Sequence, residues 1–287
     1  MVGVADKAGQ FTKTIVLTGA SDGIGAAAAV SLARAGHRLL LVGRSEAKMA
    51  AVATKAGVDR YFLADYEHLS DVRRLAKELR AATDRIDVLA NNAGGMFAGP
   101  HKTEDGFERT FQVNHLAAFL LTHELLDILL ASHAAVVNTS SSAAKAFSRL
   151  DIGDLNDWNG FSTRRAYGDS KLGNVLFARG LHARYHDRGL SAMAFHPGVI
   201  ATNFAADSFG LIRWAYHSPV RVIFASPERG GRNLTRFIAG TPGVTWRSAE
   251  FYGPAGRVIR TSPLAYDDDL VRRHWEKSAE MLGISLA

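Results

Sequence analysis

Short apolar or β-branched runs alternate along the chain with longer segments whose apolar residues return at three- and four-residue steps. The runs are Thr14 to Leu17, Arg38 to Val42, Tyr61 to Ala64, Ile86 to Ala90, Ala134 to Asn138 and Ser191 to Phe195. Their near-continuous apolar character predicts strands buried on both faces. Gly23 to Ala35, Leu69 to Ala82, Gly106 to Ser132 and Arg165 to Arg188 carry the helical period. Each helical crossover between parallel strands must bury itself against the sheet. The alternation therefore predicts an α/β fold, one doubly wound Rossmann-type domain with a mostly or wholly parallel central sheet and helices on both faces. No proline-rich linker, repeat or low-complexity tract divides the chain, so one domain is expected over residues 1–287.

Composition narrows the class. Apolar residues make up 47% and charged residues 22%, values of an ordinary globular chain. Cysteine is absent, which excludes a disulfide framework and thiolate chemistry and fits a reducing compartment. The net charge of +6 comes from scattered Lys and Arg rather than a basic run, so no nucleic-acid partner is expected. The first residues hold no apolar signal-like core, and no stretch approaches the ~20 uncharged residues of a membrane span. A cytoplasmic protein without a membrane span is expected.

Thr18-Gly19-Ala20-Ser21-Asp22-Gly23-Ile24-Gly25 follows the first strand and opens an apolar helix. Gly19 suits the tight turn, Gly23 admits close approach of a pyrophosphate, and Gly25 allows close helix packing, while the free N–H groups of the helix start face the phosphates. The spacing is G-x-x-x-G-x-G, not the G-x-G-x-x-G of the commoner dinucleotide fingerprint. At the end of the second strand, where a carboxylate would accept from the ribose of NAD, stand Gly43, Arg44 and Ser45. The planar fork of Arg44 suits a 2′-phosphate, which favours NADP(H) over NAD(H). A solvated arginine opening a loop would look the same, and Asp22 does nothing for a phosphate.

Tyr167 and Lys171 lie four residues apart in a helical segment and so share one face. An exposed helix pair has the same spacing. A phenol that donates a proton near pH ~7 must shift from about 10, a preference for phenolate of about 4 kcal/mol. One ammonium at ~4 Å contributes about 4 kcal/mol at an effective dielectric of ~20. Ser140, Ser141 and Ser142 end the fifth strand, and any of the three hydroxyls could hold a developing oxyanion or simply cap a helix.

Together with Asp65, Asn91-Asn92-Ala93-Gly94 and His196-Pro197-Gly198-Val199-Ile200-Ala201-Thr202, these motifs resemble the short-chain dehydrogenase/reductase family from about Thr12 to Ile284. Phe111 to Leu116, Phe119 to Thr122 and the long spacer from Ser141 to Tyr167 resemble its retinol-dehydrogenase and WW-domain-oxidoreductase branch. The resemblance implies hydride transfer at a carbonyl or alcohol carbon, with Tyr167 as acid/base and Ser141 as the chosen serine. It further implies that Asn114 sits in a helix distortion holding a water that links Lys171 to solvent. Cofactor contacts are implied for Gly19, Ser21, Asp22, Gly23, Ile24, Gly25, Arg44 and Ser45. They extend to Asp65 and Tyr66 at the adenine, Asn92, Ala93 and Gly94 at the adenosine ribose, and Lys171 at the nicotinamide ribose beside Tyr167. Pro197, Gly198, Ile200 and Thr202 are assigned to the carboxamide and pyrophosphate. The family also implies a homodimer or homotetramer, which no segment here compels.

Ala117 and Ala118 replace the Gly-His pair of the retinol-dehydrogenase branch, and its N-terminal anchor has no counterpart. Both steer away from retinol itself. Phe204, Phe209, Leu211, Ile212, Trp214 and Tyr216 fall where the family carries a substrate lid, about residues 203–225. They suggest a small hydrophobic carbonyl or alcohol substrate, apolar or aromatic, or else they pack in the core or an oligomer interface. His182 and His186, four apart, lack a third ligand at a matching step, and Asp151, Asp154 and Asp157 recur at the wrong step for a calcium loop, so no metal is expected. The competing functional class is a regulatory protein that binds NADP(H) on this fold without turnover.

Overall fold

The computed structural model describes residues 12–156, 158–198 and 226–285. Six strands recur close to where the pattern places them: β1 (Thr14–Thr18), β2 (Arg38–Gly43), β3 (Tyr61–Leu63), β4 (Val88–Asn91), β5 (Ala135–Thr139) and β6 (Ser191–Phe195). A seventh, β7 (Phe251–Tyr252), completes a sheet ordered β3-β2-β1-β4-β5-β6-β7. Every pairing between these strands is parallel. This is the doubly wound Rossmann-type α/β fold.

Because successive strand residues face opposite sides, odd and even positions build separate cores. Ile15, Leu17, Leu39 and Leu41 pack against α1 (Gly23–Arg34), α2 (Glu46–Ala56) and α9 (Pro227–Ala239). Val16, Leu40, Val42 and Val136 pack against α3 (Leu69–Ala82), α5 (Ala117–Glu124), α8 (Thr163–Tyr185) and α10 (Asp268–Met281). Both faces are covered, which is why these strands carry no polar alternation.

The segment from Gly106 to Ser132, read as one helical pattern, is broken. It holds α4 (Arg109–Phe111), a π turn (Gln112–Leu116), α5 and α6 (Leu126–Ala131). A short α7 (Ala143–Ala146) follows β5. The strand order reverses between β1 and β4, and the registers Thr18↔Val42, Asn91↔Asn138 and Thr139↔Phe195 align the carboxyl ends. Open α/β sheets take their ligands at that reversal.

Candidate active site

The described parts of the loops singled out after β1, β2, β3, β4, β5 and β6 meet at this one edge, around a cleft of about 600 Å³, a volume within the range of small-molecule and cofactor sites. Gly19 adopts φ +65° with its Cβ position only 2.8 Å from the Ala93 Cα, and a Cβ on Gly25 would lie 2.1 Å from the Gly19 carbonyl oxygen. Glycine at both positions lets β1, α1 and the loop after β4 close on one another. Thr18 ties the same loops together: its hydroxyl accepts from the N–H of Asn92 and of Ala93, each at 3.0 Å, and donates to the Ala90 carbonyl. The Asn92 amide is spent on this junction too, donating to the Thr18 carbonyl at 3.0 Å.

Asp22 caps α1, its carboxylate accepting from the Gly23 N–H at 2.7 Å. The opposing carboxylate oxygen pairs with Lys48 Nζ at 2.7 Å, so the charge that looked unhelpful for a phosphate is locally balanced. Lys48, in the first turn of α2, lines the cleft as Arg44 does and was not singled out in the sequence, where a lysine on a helix surface carries no such signal. Arg44 is more than half exposed, 3.7 Å from Glu67, whose carboxylate is held more closely by Arg109 at 2.6 Å. Ser21, Gly23, Ile24, Ser45, Asp65, Tyr66, Ala93 and Gly94 line the same cleft.

The three serines separate. Ser140 is buried and donates to the Lys171 carbonyl at 2.7 Å, locking the end of β5 to α8. Ser142 is exposed at the start of α7 and makes no side-chain cap. All three line the cleft with Tyr167 and Lys171, but Ser141, half-buried, has an oxygen that accepts from the Ala143 N–H at 3.2 Å, which leaves its own hydrogen free to donate into the cleft.

Tyr167 and Lys171 project from the same face of α8. Tyr167 is 7% exposed and Lys171 2%. The Lys171 ammonium lies 5.7 Å from the Tyr167 ring centre and donates to the Thr139 carbonyl at 3.3 Å. Burial lowers the Lys171 pKa from 10.5 to about 8, so the side chain stays mainly cationic at neutral pH. Gly168 lets α8 press against the loop after α7, a Cβ there falling 2.8 Å from the Ser148 N–H nitrogen.

Asn114 lies in the π turn, as the resemblance implied for a helix distortion. Its side-chain oxygen accepts from the Gly95 N–H at 2.7 Å, and its amide donates to the Gly95 carbonyl at 2.9 Å and to Ser170 Oγ at 3.0 Å. It thus clamps the loop after β4 to α8. An inserted residue of this kind frees a main-chain carbonyl from the helical ladder. Gly94 leaves the space between: a Cβ there would lie 2.5 Å from Asn114 Oδ1 and 3.1 Å from Lys171 Nζ.

Pro197 and Gly198 also line the cleft, and Asn233 of α9 donates to the Pro197 carbonyl at 3.2 Å. Ile200, Thr202 and the lid at about 203–225 lie outside the described residues. A dinucleotide fits what is present: a helix start with N–H groups lacking helical partners, backbone room at Gly23 and Gly94, two cations at Arg44 and Lys48, and an apolar end formed by Met96, Phe97, Val113 and Phe147. Among the described residues, no helix is long and apolar enough to cross a membrane.

Residues 13–210 match the family model described as short chain dehydrogenase. A Streptomyces sp. (strain C5) protein to which daunorubicin C-13 ketoreductase activity is ascribed is 35% identical over 277 residues, covering 94% of this chain and 93% of its own. Human retinol dehydrogenase 12 is 35% identical over 279 residues, covering 95% of this chain and 87% of its own. The crystal structure of an uncharacterized protein from Mycobacterium paratuberculosis superposes with a TM-score of 0.77 at 32% identity, covering 97% of this chain and 96% of that one.

Proposed function

The chain belongs to the short-chain dehydrogenase family and is an oxidoreductase of its retinol-dehydrogenase-like branch; from that premise we propose that it uses NADP(H) to interconvert a ketone or aldehyde and its alcohol on an apolar or aromatic small molecule. When bound, the dinucleotide supplies or takes up the hydride. In reduction, Ser141 donates a hydrogen bond to the substrate carbonyl oxygen and Tyr167 delivers the proton to that oxygen as charge develops on it. Lys171 favours the phenolate that Tyr167 becomes, and the distorted turn at Asn114 is the route by which Lys171 reaches solvent to restore the proton.

The observation that carries this reading is a cationic, buried Lys171 beside Tyr167, both opening with Ser141 onto one cleft. Arg44 and Lys48 support NADP(H): together they offer a guanidinium fork and an ammonium where a 2′-phosphate would lie. The apolar end of the cleft supports a hydrophobic substrate, with residues 203–225 as its lid. The relatives' printed activities, a ketoreductase and a retinol dehydrogenase, are both of the carbonyl-alcohol type. The same reading takes the protein to be cytoplasmic, one domain throughout, and a homodimer or homotetramer.

The test is a panel of hydrophobic ketones and aldehydes with NADPH and NADH in parallel, followed by absorbance. NADPH oxidation by some of the panel is expected. NADPH that binds tightly, read by its fluorescence, with no oxidation by any carbonyl would favour a nucleotide-binding regulator instead.

A further inference from the structure

Behind the cleft, a polar chain is buried between α8, the π turn and α10. Asn174 follows Lys171 by three residues, on the same helix face. Its side-chain amide donates to the Thr139 carbonyl at 3.1 Å, the oxygen that also accepts from Lys171 Nζ at 3.3 Å. Asn174 Oδ1 faces His115 Nδ1 at 3.3 Å, and His115 Nε2 faces Ser278 Oγ at 3.1 Å. All of these side chains are buried, and none of Asn174, His115 and Ser278 lines the cleft.

A carbonyl can only accept, so the amide nitrogen of Asn174 must face Thr139 and its oxygen must face the imidazole. His115 therefore carries its proton on Nδ1 and accepts from the Ser278 hydroxyl on Nε2. Donation runs one way, from Ser278 through His115 and Asn174 to Thr139, and it needs a neutral ring. Burial lowers the His115 pKa to about 4, and the charge of Lys171 acts in the same direction, so the ring is neutral at physiological pH. The groups that face Lys171 are Tyr167 on its own helix and His115 from the π turn, with the His274 ring of α10 beyond, 4.7 Å from that of His115.

We propose that Asn174, oriented by His115, is a positioning residue: it fixes the Thr139 carbonyl on which the Lys171 ammonium is seated, and so fixes the ammonium against the Tyr167 phenol. This rests on the acid/base reading of Tyr167 and Lys171. In the low dielectric of this interior, a half-satisfied chain would be costly, so removing one link frees the next to move. Loosening the ammonium from ~4 to ~5 Å at an effective dielectric of ~20 raises the phenol's pKa by about 0.6 unit.

The experiment titrates the near-ultraviolet tyrosinate absorbance of the cofactor-free protein and subtracts that of Tyr167→Phe to isolate one phenol, which requires no turnover. Asn174→Leu is expected to raise the midpoint by about half a pH unit. His115→Leu, which breaks the chain one link further out, moves it the same way and serves where Asn174→Leu does not fold. His115→Gln, whose amide N–H can still reach Asn174, keeps the wild-type midpoint. A lowered wild-type midpoint that neither leucine variant moves overturns the positioning role and spares the acid/base reading. A wild-type Tyr167 that titrates at the ordinary tyrosine value overturns both.

Discussion

Lys171 is a cation buried beside the phenol it serves. Its folded-state pKa of about 8 lies below the ordinary lysine value of 10.5, so the folded chain binds this proton more weakly than the unfolded chain. The cost is complete below about pH 8 and disappears above about pH 10.5, at most about 3 kcal/mol. Lys171→Met should therefore abolish turnover yet raise the free energy of unfolding at pH 7 by up to about 3 kcal/mol, a gain that fades as pH rises to 10.5. Denaturant titrations at the two pH values measure it. At the other end of the cleft, Arg44→Asp should lose tenfold or more in NADPH affinity while NADH is kept or improved, given about 1.5–3 kcal/mol for a charge-assisted hydrogen bond. Lys48→Ala should lose less, and comparison of kcat/KM for the two cofactors reads both. Arg44 was legible in the sequence from its place after β2. Lys48 was not, because a lysine on a helix surface looks the same whether or not a strand end brings it to a cleft.

Among the elements, the turn from β1 into α1 carries the tightest approach of a glycine to backbone. Gly25→Ala would press a methyl to within 2.1 Å of the Gly19 carbonyl oxygen, where backbone rather than a flexible side chain must yield. A loss of about 1–3 kcal/mol in stability is expected together with weaker cofactor binding, read by urea denaturation and NADPH fluorescence. Gly94→Ala meets side chains instead, Asn114 and Lys171, and should lower kcat more than stability. The glycines, six strands and the Tyr167 helix could be read from spacing and burial pattern because each face of the sheet is covered. The misses have equally local causes. β7 is two residues long, α2 is rich in alanine with only Met49 and Val52 as large apolar residues, and α9 spends Gly231 on close contact with α1, so few large apolar residues mark it. The π turn escaped for a different reason: one extra residue in a turn leaves an apolar segment apolar, and only the resemblance pointed to Asn114.

For the molecule as a whole, two imidazoles are folded away neutral. His115 is lowered from 6.5 to about 4 by burial, and His274 is pushed down in the same way. Between those values the unfolded chain takes up protons that the folded chain does not, so stability is full above about pH 6.5 and falls as pH drops towards 4. His115 alone accounts for about 3 kcal/mol over that window. Thermal or denaturant unfolding at pH 7 and pH 5 should show the loss, and His115→Gln should lessen it, leaving the share of His274. A stability that holds level across the window would mean that the pair is not buried neutral. The sheet order and the covered faces make the carboxyl edge the place where every candidate loop meets, and that convergence is a property of the whole fold which no segment announces. At its centre is the Tyr167 phenol. The most direct measurement is the rate of NADPH oxidation by an accepted hydrophobic ketone in the wild type and in Tyr167→Phe, with NADPH binding measured alongside. A fall of about a hundredfold or more with binding unchanged is predicted, whereas turnover within a few-fold of the wild type would contradict the account.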